Sequence, residues 1–156
     1  MSLTDHDILV KAIVNVLSAY GFEVHFTIKG RKTEEIRAVG DSGLNYYPDL
    51  IAKKGFTTLV GDIRTRGQRG TQDQVDRGAV QFLQAELDDW IARLHRPHGM
   101  IVTPHGADEE ATRLAAHFGI YIVKLPMGAA KVIADLDVVS QRERIIEKAR
   151  ESNVLF

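Results

Sequence analysis

Between Tyr46 and Arg66 the chain reads YYPDLIAKKGFTTLVGDIRTR. Two apolar, β-prone runs, about 46–53 and 57–65, flank a Lys-Lys-Gly turn, and each carries an aspartate. Asp49 opens the first run, and Asp62 lies near the end of the second. A carboxylate inside an otherwise apolar strand is costly to bury unless something compensates it. Side chains alternate faces along a strand, so Asp62 and Arg64 point the same way and Ile63 the other. A tight two-residue loop at Lys54-Gly55 keeps on one face the positions whose numbers sum to an odd value. Asp49 and Asp62 meet that condition. A three-residue loop without a bulge would put them on opposite faces.

The flanking sequence supplies the layers such a hairpin needs. Thr4 caps an expected first helix, with Asp5 and Asp7 near its positive end and Ile8, Ile13, Val16 and Leu17 on its apolar face. Gly21 ends it. Residues 23–29 alternate as a half-buried strand, and a polar, glycine-punctuated loop follows around a short strand at 36–39. Beyond the hairpin, helical spacing of Val75, Ala79, Phe82, Leu83, Leu87 and Trp90 predicts a helix over about 72–95. Strands at 100–103 and 120–125 bracket a helix at 108–117, and a charged amphipathic helix is expected over about 137–153. Three antiparallel strands, followed by strands that alternate with helices, predict an α/β fold: a mixed β-sheet flanked by helices on both faces. With 156 residues and no linker or repeat, one domain spanning 1–156 is expected.

Composition narrows the function classes. The chain has no cysteine, which excludes disulfides, thiolate metal sites and a cysteine nucleophile. No apolar run approaches the ~20 residues that cross a bilayer, and the first residues lack the pattern of a signal peptide, so a cytoplasmic protein is expected. A formal net charge of -1 leaves nucleic-acid binding to local basic patches. One such patch is the linker with Arg64, Arg66 and Arg69 among glycines and threonines; guanidinium groups and free backbone amides both suit phosphate oxygens. Lys29, Arg31 and Lys32 on another loop extend it. His95, His98 and His105 stand beside Pro or Gly in expected loops and lack a helical HxxxH pair, so they read as solvated rather than as zinc ligands.

Two carboxylates brought together repel unless a cation or a proton lies between them. Hard oxygen ligands suit Mg²⁺ or Mn²⁺, which can activate water and neutralise charge at a phosphodiester. The simpler alternatives are a turn-bonded Asp49 and a same-face Asp62–Arg64 salt bridge.

Pro48-Asp49, twelve intervening residues and then Asp62-x-Arg64 resemble the PD-(D/E)xK motif of the restriction-endonuclease-like nuclease superfamily. The order of elements over Thr4 to Leu125 resembles that fold's core. The glycine-containing GDSGLNYYPD and the later HGMIVTPHGADEEATRLAAHFGIYIVKL are most similar to archaeal Holliday junction resolvases and to the nuclease domains of modified-DNA restriction enzymes. The resemblance implies a metal-dependent endonuclease acting on DNA, branched DNA included, usually as a homodimer. It implies Asp49 and Asp62 as catalytic metal ligands for Mg²⁺ or Mn²⁺.

Arg64 stands where that family has lysine. An arginine stays charged and can stabilise a developing phosphorane, but it is a poor base. Lys53 and Lys54 are the alternative sources of a lysine. The family's first-helix acid has Asp5 or Asp7 as candidates, and its glutamine on the following helix has Gln72, Gln74 or Gln81. The rival expectations are a catalytically inactive DNA-binding or protein-interaction module of the same fold, which the missing lysine favours, and an unrelated α/β ligand-binding domain.

Overall fold

The computed structural model describes residues 3–28, 38–65, 73–90 and 97–156. Its centre is a five-stranded mixed sheet in the order β1-β4-β5-β6-β7. The strands are β1 (Glu23–Phe26), β4 (Leu50–Lys54), β5 (Thr57–Ile63), β6 (His98–Thr103) and β7 (Tyr121–Lys124). β1, β4 and β5 pair antiparallel, whereas β5, β6 and β7 run parallel. A separate two-stranded ribbon joins β2 (Ala38–Val39) to β3 (Asn45–Tyr46). The helices are α1 (Asp5–Ala19), α2 (Arg77–Asp88), α3 (Glu109–Phe118), α4 (Met127–Ala134) and α5 (Arg142–Glu151).

Alternation along the strands divides the core in two. Leu50, Ala52, Leu59, Ile63, Met100 and Val102 face α1, α4 and α5. Val60 and Ile101 face α2 and α3, meeting Val80, Leu83, Leu87, Ala111 and Ala115. The expected mixed sheet with helices on both faces is what forms. Among the described residues, no helix is long and apolar enough to cross a membrane.

Capping sets the helix starts. Thr4, Asp76 and Asp108 accept hydrogen bonds from the backbone amides of Asp7, Ala79 and Ala111, satisfying donors that a first turn leaves open. Asp76 therefore starts α2 at Arg77, later than its apolar spacing suggests, and α2 runs to Asp88. The eight-residue α4 was not anticipated. Pro126 begins it without a side-chain cap, and Asn15 of α1 donates to the Ile133 and Leu136 carbonyls, at 2.9 and 3.2 Å, to close its far end. α5 is shorter than the expected 137–153 helix, because Asp137 accepts from the Ser140 amide and hydroxyl and shapes a turn before it.

The focal hairpin turns one residue later than expected. Lys54 pairs with Thr57, so the loop is Gly55-Phe56, with Gly55 in the left-handed region at φ 59°. The loop still holds two residues, and the parity is preserved. Leu50 pairs with Gly61, so Asp49 stands one step further on, across from Asp62. Gly61 is needed for close approach: a β-carbon there would lie 2.6 Å from Leu50 Cγ.

Candidate active site

Asp49 and Asp62 meet at the end of the sheet, where the two helical layers both reach. The Asp49 amide donates to the Gly61 carbonyl at 3.2 Å, and its Oδ2 accepts from the Ile63 amide at 2.8 Å. Its Oδ1 lies 3.2 Å from His6 Nε2 on the first turn of α1. His6 Nδ1 lies 3.5 Å from Oδ1 of Asp7, a carboxylate only 2% exposed. The Thr4 cap fixes this turn, so the start of α1 holds His6 between two acids. Asp62 Oδ2 accepts from Arg64 Nε at 2.8 Å, and the Arg64 amide donates to Val102 O at 2.8 Å. The Arg64 guanidinium also lies over the Phe82 ring, 5.9 Å from its centroid.

The two carboxyls act on each other and move apart in acidity. Burial pushes Asp49 up, but the hydrogen bonds from His6 and Ile63, the His6 charge and the Asp62 hydrogen bond outweigh it, leaving Asp49 below its ordinary value. Burial pushes Asp62 up as well. Arg64 pulls it back and Asp49 raises it again, so Asp62 ends above its ordinary value. A proton shared by the pair therefore resides more readily on Asp62.

A third carboxyl approaches from the other layer. Glu86 of α2 is only 6% exposed, and its Oε1 has no hydrogen-bond partner among the described residues. Burial, followed by the charges of Asp62 and Asp49, raises its pKa to about 7. Glu86 and Asp62 line a cavity of about 250 Å³ with Asn45, Tyr46, Tyr47, Pro48, Gly61 and Phe82.

Sequence reasoning missed both His6 and Glu86. Glu86 had a legible signal: it lies three residues after Leu83 and one before Leu87, on the apolar face of its helix. His6 had none, because nothing local marks a helix-start histidine that meets a strand start far along the chain.

The alternative lysines are elsewhere. Lys53 and Lys54 sit at the turn end of β4, about 15 Å from Asp49 at roughly 3.3 Å per residue. Lys54 Nζ donates to the Tyr20 carbonyl at 2.7 Å and lies over Phe22. Gln74 and Gln81 are exposed, and it is Glu86 that α2 turns to the site. Asp5 is exposed, and the acid that α1 buries is Asp7. Lys29, Arg31, Lys32, Arg66, Arg69 and Gln72 lie outside the described residues. A larger cavity, about 880 Å³, lies among Phe22, Leu59, Tyr121, Val123 and Phe156, and neither aspartate lines it.

Among the described residues, no three His, Asp or Glu side chains converge to hold a metal by themselves. The pair nevertheless fits a hard cation of the Mg²⁺ type, which commonly keeps several waters and binds one or two carboxylates together with substrate phosphate oxygens. Two carboxylates close enough to share a proton are a place where a cation can replace that proton.

No family model matches the chain, and no curated protein does. Solved structures match its fold. One is AF1548, a protein of unknown function: 12% identity, TM-score 0.56, with 92% of this chain and 96% of that one covered. Another is a repair endonuclease from Pyrococcus abyssi: 18% identity, TM-score 0.53, with 81% of this chain and 48% of that one covered. A third is VC1899 from Vibrio cholerae: 9% identity, TM-score 0.52, with 92% of this chain and 33% of that one covered. The likeness is one of fold, and the fold is nuclease-like. This chain spans about half the length of the repair endonuclease.

Proposed function

We propose that this protein is a metal-dependent deoxyribonuclease of the PD-(D/E)xK kind, with Asp49 and Asp62 holding Mg²⁺ or Mn²⁺. The observation that carries the proposal is the placing of Asp49 across the hairpin from Asp62 at the sheet's end, in a fold shared with a repair endonuclease. A bound divalent cation supplies an activated water and charge neutralisation at the phosphodiester. The chain's own residues do the positioning. His6 and the Ile63 amide fix the Asp49 carboxylate from two sides, and Asp7 steadies His6. Arg64, always charged, sets Asp62 in place and brings a positive charge near the site where charge develops on phosphorus. The substrate is DNA, with branched DNA the first to test. The basic segments containing Arg66, Arg69, Lys29, Arg31 and Lys32 grip its backbone, and two copies supply the two sites that two strands require.

The experiment is a titration of Mg²⁺ and of Mn²⁺ against linear and branched DNA, for the wild type and Asp62→Ala. Cleavage that needs the metal and disappears in the variant supports the assignment. Cleavage that survives Asp62→Ala overturns it.

One observation favours a second reading. Arg64 is already engaged by Asp62, as a purely structural strand-end salt bridge would be. On that reading the chain is a catalytically inactive DNA-binding or protein-interaction module, and DNA binding without cleavage under either metal would identify it.

A further inference from the structure

The cavity beside Asp62 has a use that metal chemistry does not absorb. Tyr46, Tyr47 and Phe82 supply aromatic surface around it, and Glu86 and Asn45 add polar groups. Tyr47 and Phe82 are 59% and 54% exposed, an unusual cost for two large rings beside one opening. Its volume of about 250 Å³ falls below the roughly 300–1,000 Å³ of clefts that take drug-sized ligands. That scale suits one planar ring system and not a folded peptide segment.

The wall is held in place. The Tyr46 hydroxyl donates to Asp89 Oδ2 at 2.8 Å, beside the end of α2. The Ser42 amide donates to Asp89 Oδ1 at 2.8 Å, the Ser42 hydroxyl also donates to Asp89, and the Asp41 amide donates to the Asp89 carbonyl at 2.7 Å. The β2–β3 ribbon is thus fastened to α2, and Tyr46 is set before any ligand arrives. Glu86 completes the cavity as a buried carboxyl with one oxygen that has no partner among the described residues, a state that costs free energy until something bonds to it. The edge of a nucleobase carries groups that can hydrogen-bond a carboxyl.

We infer that this cavity receives the base of an unpaired nucleotide, stacked against Tyr47 and Phe82 and hydrogen-bonded by Glu86, with its sugar-phosphate chain passing Asp62. The inference rests on the reading of the chain as DNA-acting and deepens it: the substrate would be single-stranded or locally unpaired DNA. A base inside a duplex is stacked on both sides and cannot enter such a cavity without first leaving the stack. Aromatic stacking tolerates any base, so sequence preference is weak.

The test is binding of single-stranded oligothymidylate and of an abasic chain of equal length and charge, by fluorescence anisotropy in EDTA so that nothing is cut. Wild-type protein should prefer the base-bearing strand roughly tenfold. Tyr47→Ala and Glu86→Gln should each erode that preference by several-fold, with their circular dichroism unchanged. Equal affinity for the two strands overturns the inference, as does a preference that both variants retain. Metal-dependent cleavage is measured in parallel. If it persists without any base preference, the pocket alone falls; if the preference stands without cleavage, the nuclease assignment alone falls. Binding of neither strand sinks both.

Discussion

Asp49 stands across the β4–β5 hairpin from Asp62, and the two carboxyls differ in acidity, Asp49 held below its ordinary pKa and Asp62 above it. The relationship follows from a two-residue turn and strand alternation, and it places two acids where neither helical layer covers them completely.

Glu86 makes stability depend on pH. Its pKa rises from 4.5 to about 7 on folding, through burial and the charges of Asp62 and Asp49. Below 4.5 both states hold the proton. As pH climbs toward 7 the unfolded chain releases it first, so stability falls across that window. Above it the loss levels off at roughly 3 kcal/mol. In EDTA, urea unfolding of Glu86→Gln should show a shallower decline and greater stability than wild type at pH 8. Identical pH curves for the two proteins would refute the buried, ionisable role.

Arg64→Lys restores the residue type that the motif's chemistry expects. A lysine can lose its proton in a suitable site, whereas arginine cannot. If Asp49 and Asp62 hold a metal, this variant should cut DNA in Mg²⁺ at least about as fast as wild type, and faster above neutral pH, where lysine deprotonates more readily. A collapse in rate would mean that Arg64 does something lysine cannot, such as keeping Asp62 in place through Nε.

Gly61→Ala tests the close strand approach beneath the site. The added methyl would meet Leu50 Cγ and Cδ1 at 2.6 and 2.8 Å, and the leucine is fully buried. Overpacking of this kind costs about 1–3 kcal/mol, read as a lower urea midpoint with little change in slope. Shortening the neighbour in the double variant Gly61→Ala/Leu50→Ala should give a loss smaller than the sum of the two single losses.

Asp89→Ala should release the β2–β3 ribbon without unfolding the sheet. The carboxylate holds Ser42 and Tyr46, and those hydrogen bonds keep its pKa below the ordinary value. Hydrogen exchange should quicken at the amides of Asp41 to Tyr46 while the amides of β5 and β6 stay protected. Uniform exchange across both regions would show that the ribbon is held by something else.

Much of this arrangement could be read from the residues. The parity of Asp49 and Asp62 survives a one-residue displacement of the turn, because a two-residue loop at either place keeps the same face. The mixed sheet with helices on both faces followed from the alternation of short apolar runs with helical spacing. Other features carried no local signature. α4 has the sequence MGAAKVIA, too short and too uniformly apolar to show a period, and its end is closed by Asn15 from far away in the chain. β2 falls within the short strand expected at 36–39, whereas β3, two residues long, is less than one full alternation. His6 reaches the site only because α1 lies across one face of the sheet. Glu86 differs from these: its place on the apolar face with Leu83 and Leu87 was a legible mark of a buried acid that sequence reasoning passed over.

The hairpin's local pairing also implies an order of assembly. Asp49 and Asp62 face each other as soon as one tight turn closes, an event that needs only nearby residues. His6 and Glu86 arrive only when helices from both sides of the sheet have docked. Early in folding the two acids are a bare, solvated pair, and they become a site with its present acidities only when both layers are in place. Acquisition of function is therefore a late readout of the whole tertiary structure, and any activity that returns during refolding reports that last closure.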